Sequence, residues 1–232
     1  MATRTADGGG SVSRRVLQLL AITLWQALLL FASAGTLAWA GAWWYLSVYL
    51  TLLVIAGMVL RGHREVVAER SKGTRGSLPR DRLLTRLLAA TSMSVLVVSG
   101  LAVRFGWPGG FGLGVRIAGV VLLALGYVPV LWAMATNRFF TQGVCIQRER
   151  EHVTITGGPY RFVRHPGYAG MIISMVGAVA LLGTPWAVIP LVLYVIVLLA
   201  RTQFEDETLA AQLTGYPDYR TRTRYRLVPG LW

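Results

Sequence analysis

The chain has 232 residues, 54% hydrophobic, only 14% charged and with a formal net charge of +13. A soluble domain carries about 25% charged residues, so this sequence is too poor in charge to clothe a water-soluble surface, and a soluble fold is excluded. A single cysteine, Cys145, excludes disulfides within the chain and cysteine-rich zinc or iron–sulfur centres, and His63, His152 and His165 are too scattered to forecast a metal site.

Residues 1–15 contain Gly8, Gly9, Gly10 and several Ser and Thr, a composition expected of a disordered tail. No charged residue follows from Val16 to Leu60. A membrane-spanning helix needs about 20 apolar residues, so this stretch has room for two passes, over about Val16–Ala38 and Trp44–Leu60. Trp39, Gly41, Trp43 and Trp44 between them mark a turn at a membrane interface, where aromatic belts sit. The first apolar segment is longer than a signal-peptide core and lacks a clear cleavage site, so it reads as a retained helix. Residues 61–86 form a polar loop with eight Lys/Arg and three acids. A third span is expected at Leu87–Val103, a turn at Trp107-Pro108-Gly109-Gly110, and a fourth span at Val115–Thr136.

Residues 137–164 are polar again, and Val153-Thr154-Ile155-Thr156 is too short for a membrane strand. Pro166–Ala200 is free of charge and breaks at Gly183-Thr184-Pro185. This predicts a helical hairpin with arms of roughly 16 residues, short for full spans. The tail from Arg201 to Trp232 is polar and basic. If every apolar run crosses, 21 of the 23 Lys/Arg fall on one side, and only Arg104 and Arg116 on the other. The positive-inside rule then makes both termini and both long loops cytoplasmic. The fold class is therefore an all-α, polytopic integral membrane helical bundle of about five to six transmembrane helices. Its N-terminal helices occupy residues 16–136, and a C-terminal module occupies 137–232. The positive charge is explained by topology and anionic headgroups. Nucleic-acid binders instead interleave Lys and Arg with stacking aromatics on a polar face, so no nucleic-acid partner is expected.

Two features of the C-terminal module suggest chemistry. His165-Pro166 reads as a helix start, because Pro is favoured at the first helical position. With Arg161 and Arg164 beside it, such a start suits an anionic group; alternatively it is an ordinary helix start whose arginines reach for headgroups. Arg201 and Glu205 are four apart and share one helical face directly after an apolar run. Ionisable groups in that setting are expensive and often functional, although an interfacial ion pair is an equally available reading.

Taken together, Gly158-Pro159-Tyr160, Arg164-His165-Pro166-x-Tyr168, Arg201-x-x-x-Glu205-Asp206-x-x-Leu209, Gly215-x-x-x-Tyr219 and Arg226-Leu227-Val228-Pro229 resemble the isoprenylcysteine carboxyl methyltransferase family and its bacterial relatives, close to the phospholipid methyltransferases. Ala42-Trp43, Ala68-Glu69-Arg70-Ser71 and Asp81-Arg82 also look like bacterial members. The resemblance implies an integral membrane enzyme, in a bacterial cytoplasmic membrane, that transfers a methyl group from S-adenosyl-L-methionine to a lipophilic small-molecule or lipidated substrate entering from the bilayer. It implies that His152, Val153, Thr154, Ile155, Tyr160, His165, Pro166, Gly167, Tyr168 and Glu205 line the cofactor, with Gln147 as a softer match, and that Arg201 serves the substrate. Arg201 and Glu205 would then be the catalytic pair, with membrane lipids as surroundings and no metal. Methylation of a carboxylate is favoured, since that acceptor needs no general base. The family's paired glutamates stand here as Glu205-Asp206, which leaves the role of the second acid open. Two alternatives come from other classes: a membrane NAD(P)H-dependent reductase of sterol-reductase-like architecture, with Arg161, Arg164 and Arg201 as phosphate-binding cations, and a non-catalytic lipid-binding protein.

Overall fold

The computed structural model describes residues 7–232, and among these every regular element is helical. Five helices are long and apolar enough to cross a membrane. They belong to α1 (Asp7–Ala34), α2 (Ala40–Val59), α4 (Pro79–Arg104), α5 (Leu113–Thr136) and α7 (Val188–Gln212). Two short helices, α3 (Arg64–Ser71) and α8 (Tyr216–Arg222), and the 17-residue apolar α6 (Pro166–Leu182) complete the order. The outward faces are apolar, with Leu24, Val54, Leu125, Ile189 and Ile196 all exposed, as a bundle bathed in lipid requires.

Several boundaries differ from the sequence expectation. The tail forecast over 1–15 lies outside the described residues up to position 6, and from Asp7 onward the chain is already helical. Once a helix is nucleated each added residue gains a hydrogen bond, so α1 runs past its apolar segment. Likewise the third span starts at Pro79 rather than Leu87. Pro79 takes the first position, where a missing N–H costs nothing, and carries Asp81, Arg82 and Arg86 onto the helix. The hairpin forecast after Pro166 is asymmetric. Its first arm is short, but its second continues beyond Ala200 to Gln212. The break comes where expected: Gly183 adopts φ 85° and Thr184 Oγ1 accepts a hydrogen bond from Trp186 N at 3.4 Å.

The tightest seam joins α5 to α6. Gly119 and Gly126 on α5 face Gly177 and Gly170 on α6, each pair seven residues apart and therefore on one face. A Cβ on Gly126 would fall 2.6 Å from the Gly170 carbonyl oxygen. Without a hydrophobic drive between helices in lipid, close backbone approach through small residues is what holds such pairs together. Pro129 packs its ring on Gly170 in the same seam, so its helix-interior position is absorbed by contact. A buried apolar core of Leu30, Val95, Leu123, Leu181, Leu182 and Ala187 fills the end of the bundle away from the long loops. There Trp43 Nε1 donates to Leu37 O at 2.8 Å and Trp186 Nε1 to Pro108 O at 3.1 Å, the half-wet setting that Trp favours.

Replacing Gly126 by Ala is expected to lower stability by about 1–3 kcal/mol through overpacking. Gly57 in α2 has nothing within 4 Å of a built Cβ, so Gly57→Ala is expected to stabilise by about 0.5–1 kcal/mol. Thermal denaturation in detergent distinguishes the two, and equal shifts would deny the seam its role.

Candidate functional site

At the loop end of the bundle α4, α6, α7 and the 137–165 connection enclose a cavity of about 420 Å³, within the range of small-molecule sites. Its deep wall is apolar. Thr85, Leu88, Ala89 and Ser92 form one face of α4 at spacings of three and four, opposite Met171 and Met175 of α6 and Tyr194 of α7. Its other end is polar, with His152, Thr154, Tyr160, His165, Tyr168, Arg201, Glu205 and Tyr216. Val153, Ile155, Pro166 and Gly167 complete the match, so of the residues expected at the site only Gln147 stays out of the wall. The Gln147 side chain is turned into the loop, where Nε2 donates to Phe139 O at 2.9 Å and Oε1 accepts from Arg150 at 2.5 Å. With 3% of it exposed, its amide is consumed by the turn.

The polar end is organised by Asp206, which is fully buried. Arg164 grips it bidentately, Nε to Oδ1 at 2.7 Å and Nη2 to Oδ2 at 3.1 Å. Arg226 Nε donates to Oδ2 at 3.1 Å, the Tyr216 hydroxyl donates to Oδ1 at 2.9 Å, and His165 Nε2 stands 3.5 Å from Oδ1. Arg164 Nη1 also donates to the carbonyls of Thr223 and Arg224 at 2.8 and 2.7 Å. The C-terminal tail thereby lies against the start of α6, and the backbone N–H groups of Arg164 and His165 donate to Tyr225 O and Arg226 O, both at 2.9 Å. This corrects the picture of an Arg164 free to meet an anion: Asp206 takes the guanidinium, and the returning tail takes the backbone donors of the two residues just before α6. Asp206, whose role the sequence left open, is the acid on which the site is assembled.

Arg201 and Glu205 share the cavity wall but do not pair with each other. Arg201 Nε donates to Asp81 Oδ1 at 2.9 Å and Nη2 to Gln142 O at 2.5 Å, while its guanidinium lies 5.5 Å from the Tyr168 ring centroid. Glu205 accepts a hydrogen bond from the Tyr168 hydroxyl. It is the acid that lines the cavity, and the oxygen not held by Tyr168 remains for a cationic ligand group. The i,i+4 ion pair gave way because Asp81, fully buried at the start of α4, offers Arg201 a better-enclosed carboxylate. Asp81 entered the sequence reading only as part of the Asp81-Arg82 resemblance, with no role at the site. Its further signal was an acid in the first turn of a long helix, two residues after Pro79.

The connecting loop supplies the outer wall. His152 stacks on Phe139 with ring centroids 4.3 Å apart, and its Nδ1 accepts from Gln147 N at 3.4 Å. Burial, together with Arg150, pushes the His152 pKa down to about 4, so at neutral pH it is an uncharged ring. Thr154 Oγ1 donates to Thr214 O at 3.0 Å, and the Tyr219 hydroxyl donates to Tyr160 O at 2.8 Å. Burial raises the phenol of Tyr160 and lifts that of Tyr219 to about 12, so both remain protonated. Glu151 holds φ 52°, a left-handed conformation that costs a non-glycine residue about 1–2 kcal/mol.

Removing the central acid by Asp206→Ala leaves buried arginines unpaired and is expected to cost about 3–5 kcal/mol, read as a lower melting temperature with faster proteolysis of the C-terminal tail. His152 titrates near 6.5 when unfolded but near 4 in the fold. The unfolded chain therefore binds the proton first. The contribution to stability is full above about 6.5 and is lost as pH falls toward 4. A melting temperature that declines over this window in the wild type and declines less in His152→Gln is the expected result; identical profiles would contradict it.

Residues 117–211 match the profile of the "Isoprenylcysteine carboxyl methyltransferase (ICMT) family". Curated relatives include a "Probable protein-S-isoprenylcysteine O-methyltransferase" of Oryza sativa subsp. indica, 40% identical over 72 residues, which cover 31% of this chain and 38% of that protein. "Protein-S-isoprenylcysteine O-methyltransferase B" of Arabidopsis thaliana is 34% identical over 79 residues, 34% of this chain and 37% of the relative. The chain thus matches well under half the length of these relatives. The matched segment holds α6, most of α5 and nearly all of α7, and with them most of the cavity's polar wall. Over residues 117–211 this chain, five of whose helices are long and apolar enough to cross a membrane, is similar to the isoprenylcysteine carboxyl methyltransferase family.

Proposed function

We propose that the protein is a membrane-embedded S-adenosylmethionine-dependent methyltransferase acting on the carboxylate of a lipophilic acceptor. The observation that supports this most directly is a single cavity with two chemically different ends: a polar end with Glu205 and Arg201, and an apolar slot between α4 and α6. The residues present fit the cofactor. Glu205 suits its ammonium, His152 and Tyr160 offer uncharged rings for adenine, and the Tyr168 hydroxyl donates to Glu205 at the same wall. When bound, S-adenosylmethionine supplies an electrophilic methyl group on a sulfonium.

The protein's own task is then placement. Arg201 orients an acceptor carboxylate, and the α4–α6 slot receives its apolar part. Positioning of this kind is worth about 7–11 kcal/mol of a barrier. A carboxylate acceptor needs no base, which agrees with a wall whose phenol Tyr160 is held protonated and whose His152 is made only weakly basic by burial. The relatives' names point to an S-isoprenylcysteine as the acceptor class. The basic end, with the cavity, would face the cytoplasm by the positive-inside rule, in a bacterial cytoplasmic membrane. A nicotinamide cofactor is less well served, because Arg164 is committed to Asp206 and Arg201 to Asp81, leaving few cations for its phosphates.

Isothermal titration of the purified protein with S-adenosylhomocysteine is expected to show binding that weakens at least about tenfold in Glu205→Ala, the loss of one charge-assisted contact. Wild type should also esterify N-acetyl-S-farnesyl-L-cysteine. No binding by wild type would sink the reading, and unchanged affinity in Glu205→Ala would remove Glu205 from the site.

A further inference from the structure

The geometry assigns Asp81 as a positioning residue for Arg201, one that fixes the guanidinium and offsets its charge so that a carboxylate acceptor is placed rather than gripped; this rests on the carboxyl methyltransferase reading above. Asp81 is fully buried, and both its oxygens are engaged, Oδ1 with Arg201 Nε and Oδ2 with Val144 N, each at 2.9 Å. Arg201 Nη2 returns to the same loop at Gln142 O. Three elements, the start of α4, the 142–144 loop and α7, are thus closed into one ring of contacts.

A guanidinium carries five N–H donors, and here the edge formed by Nε and Nη2 faces Asp81 and Gln142. Nη1 makes no hydrogen bond to a described residue. With the second hydrogen of Nη2 it forms the end-on edge, and Tyr168 lies against the guanidinium. A carboxylate in the cavity can therefore meet Arg201 only end-on, in one orientation. The charge consequence follows from the same contact. A buried arginine without a counter-ion would bind any anion strongly, and ground-state binding of that kind lowers KM without raising kcat. Asp81 cancels most of that attraction, so the charged acid and its uncharged methyl ester are held with similar affinity, and the ester product can leave.

Asn at position 81 is isosteric but cannot accept from both Arg201 and Val144, and it removes the negative charge. The test measures, in detergent, the affinity of N-acetyl-S-farnesyl-L-cysteine relative to its methyl ester, and the methylation rate at saturating acid. In Asp81→Asn the acid-to-ester affinity ratio is expected to rise at least about tenfold over wild type, the signature of an unpaired buried cation, while the rate falls. A purely structural loss would weaken acid and ester together. A ratio within about twofold of wild type, or undiminished rate beside a raised ratio, overturns the assignment. If Asp81→Asn no longer shows a thermal transition, Asp81→Asn/Arg201→Gln, which leaves no unpaired buried ion, is compared with Arg201→Gln. Arg201→Gln is then expected to show the lower ratio by more than about twofold, because its lone Asp81 carboxylate disfavours the charged acid but not the ester, and ratios within about twofold overturn the assignment. A wild type that fails to bind S-adenosylhomocysteine tells against the methyltransferase reading alone, since the affinity ratio needs no turnover.

Discussion

A carboxylate withdrawn from water at the end of a membrane helix is a liability unless several donors converge on it, and Asp206 makes them converge. Arg164 comes from the approach to α6, Tyr216 from α8 and Arg226 from the tail. Each of these segments is short and buries only a few apolar or aromatic side chains, among them Val163, Tyr216, Tyr219 and Leu227. Their common acceptor gives them a fixed arrangement that lipid cannot supply. His165, Pro166 and Tyr168 occupy the cavity wall because the residue before them is anchored to that carboxylate.

The chain has 23 basic residues against 10 acids, and it places two of the scarce acids, Asp81 and Asp206, entirely out of solvent. Each is joined to an arginine that also donates to backbone carbonyls of a distant segment. The pairs thus serve as rivets between helices and loops, in a fold where burial of apolar surface cannot discriminate between one helix arrangement and another. Glu205 is different. It meets a phenol rather than a guanidinium, and this leaves a negative charge available to the cavity.

The spans and the break at Gly183-Thr184-Pro185 were legible because apolar length and turn chemistry are local properties; the first turn fell earlier than expected, at residues 35–39, with Gly41, Trp43 and Trp44 already in α2. So was most of the cavity wall, through the spacing of the Arg164–Tyr168 and Arg201–Glu205 motifs. What escaped depended on partners far away in the chain. Asp81 meets Arg201 across 120 positions and Arg164 meets Asp206 across 42, and no periodicity reports such pairings. One clue to Asp206 was present: Leu198, Thr202 and Asp206 are spaced by four and are all fully buried, so the acid continues the inward stripe of α7 while Glu205 sits one step around toward the cavity. Gln147 could not be judged from its identity, because a loop amide serves its own turn as readily as a ligand.

The brevity of α6 has a consequence for the membrane itself. At 17 residues it measures about 25 Å, against a hydrocarbon core of about 30 Å. The glycine seam locks it to α5, so it cannot slide to share the deficit, and Ile173 and Val176 turn toward lipid. Acyl chains beside it must shorten or disorder to match, at fractions of a kcal/mol per Å. A bilayer that followed α6 alone would be about 5 Å thinner beside the cavity than elsewhere, toward the level where α4 and α6 part.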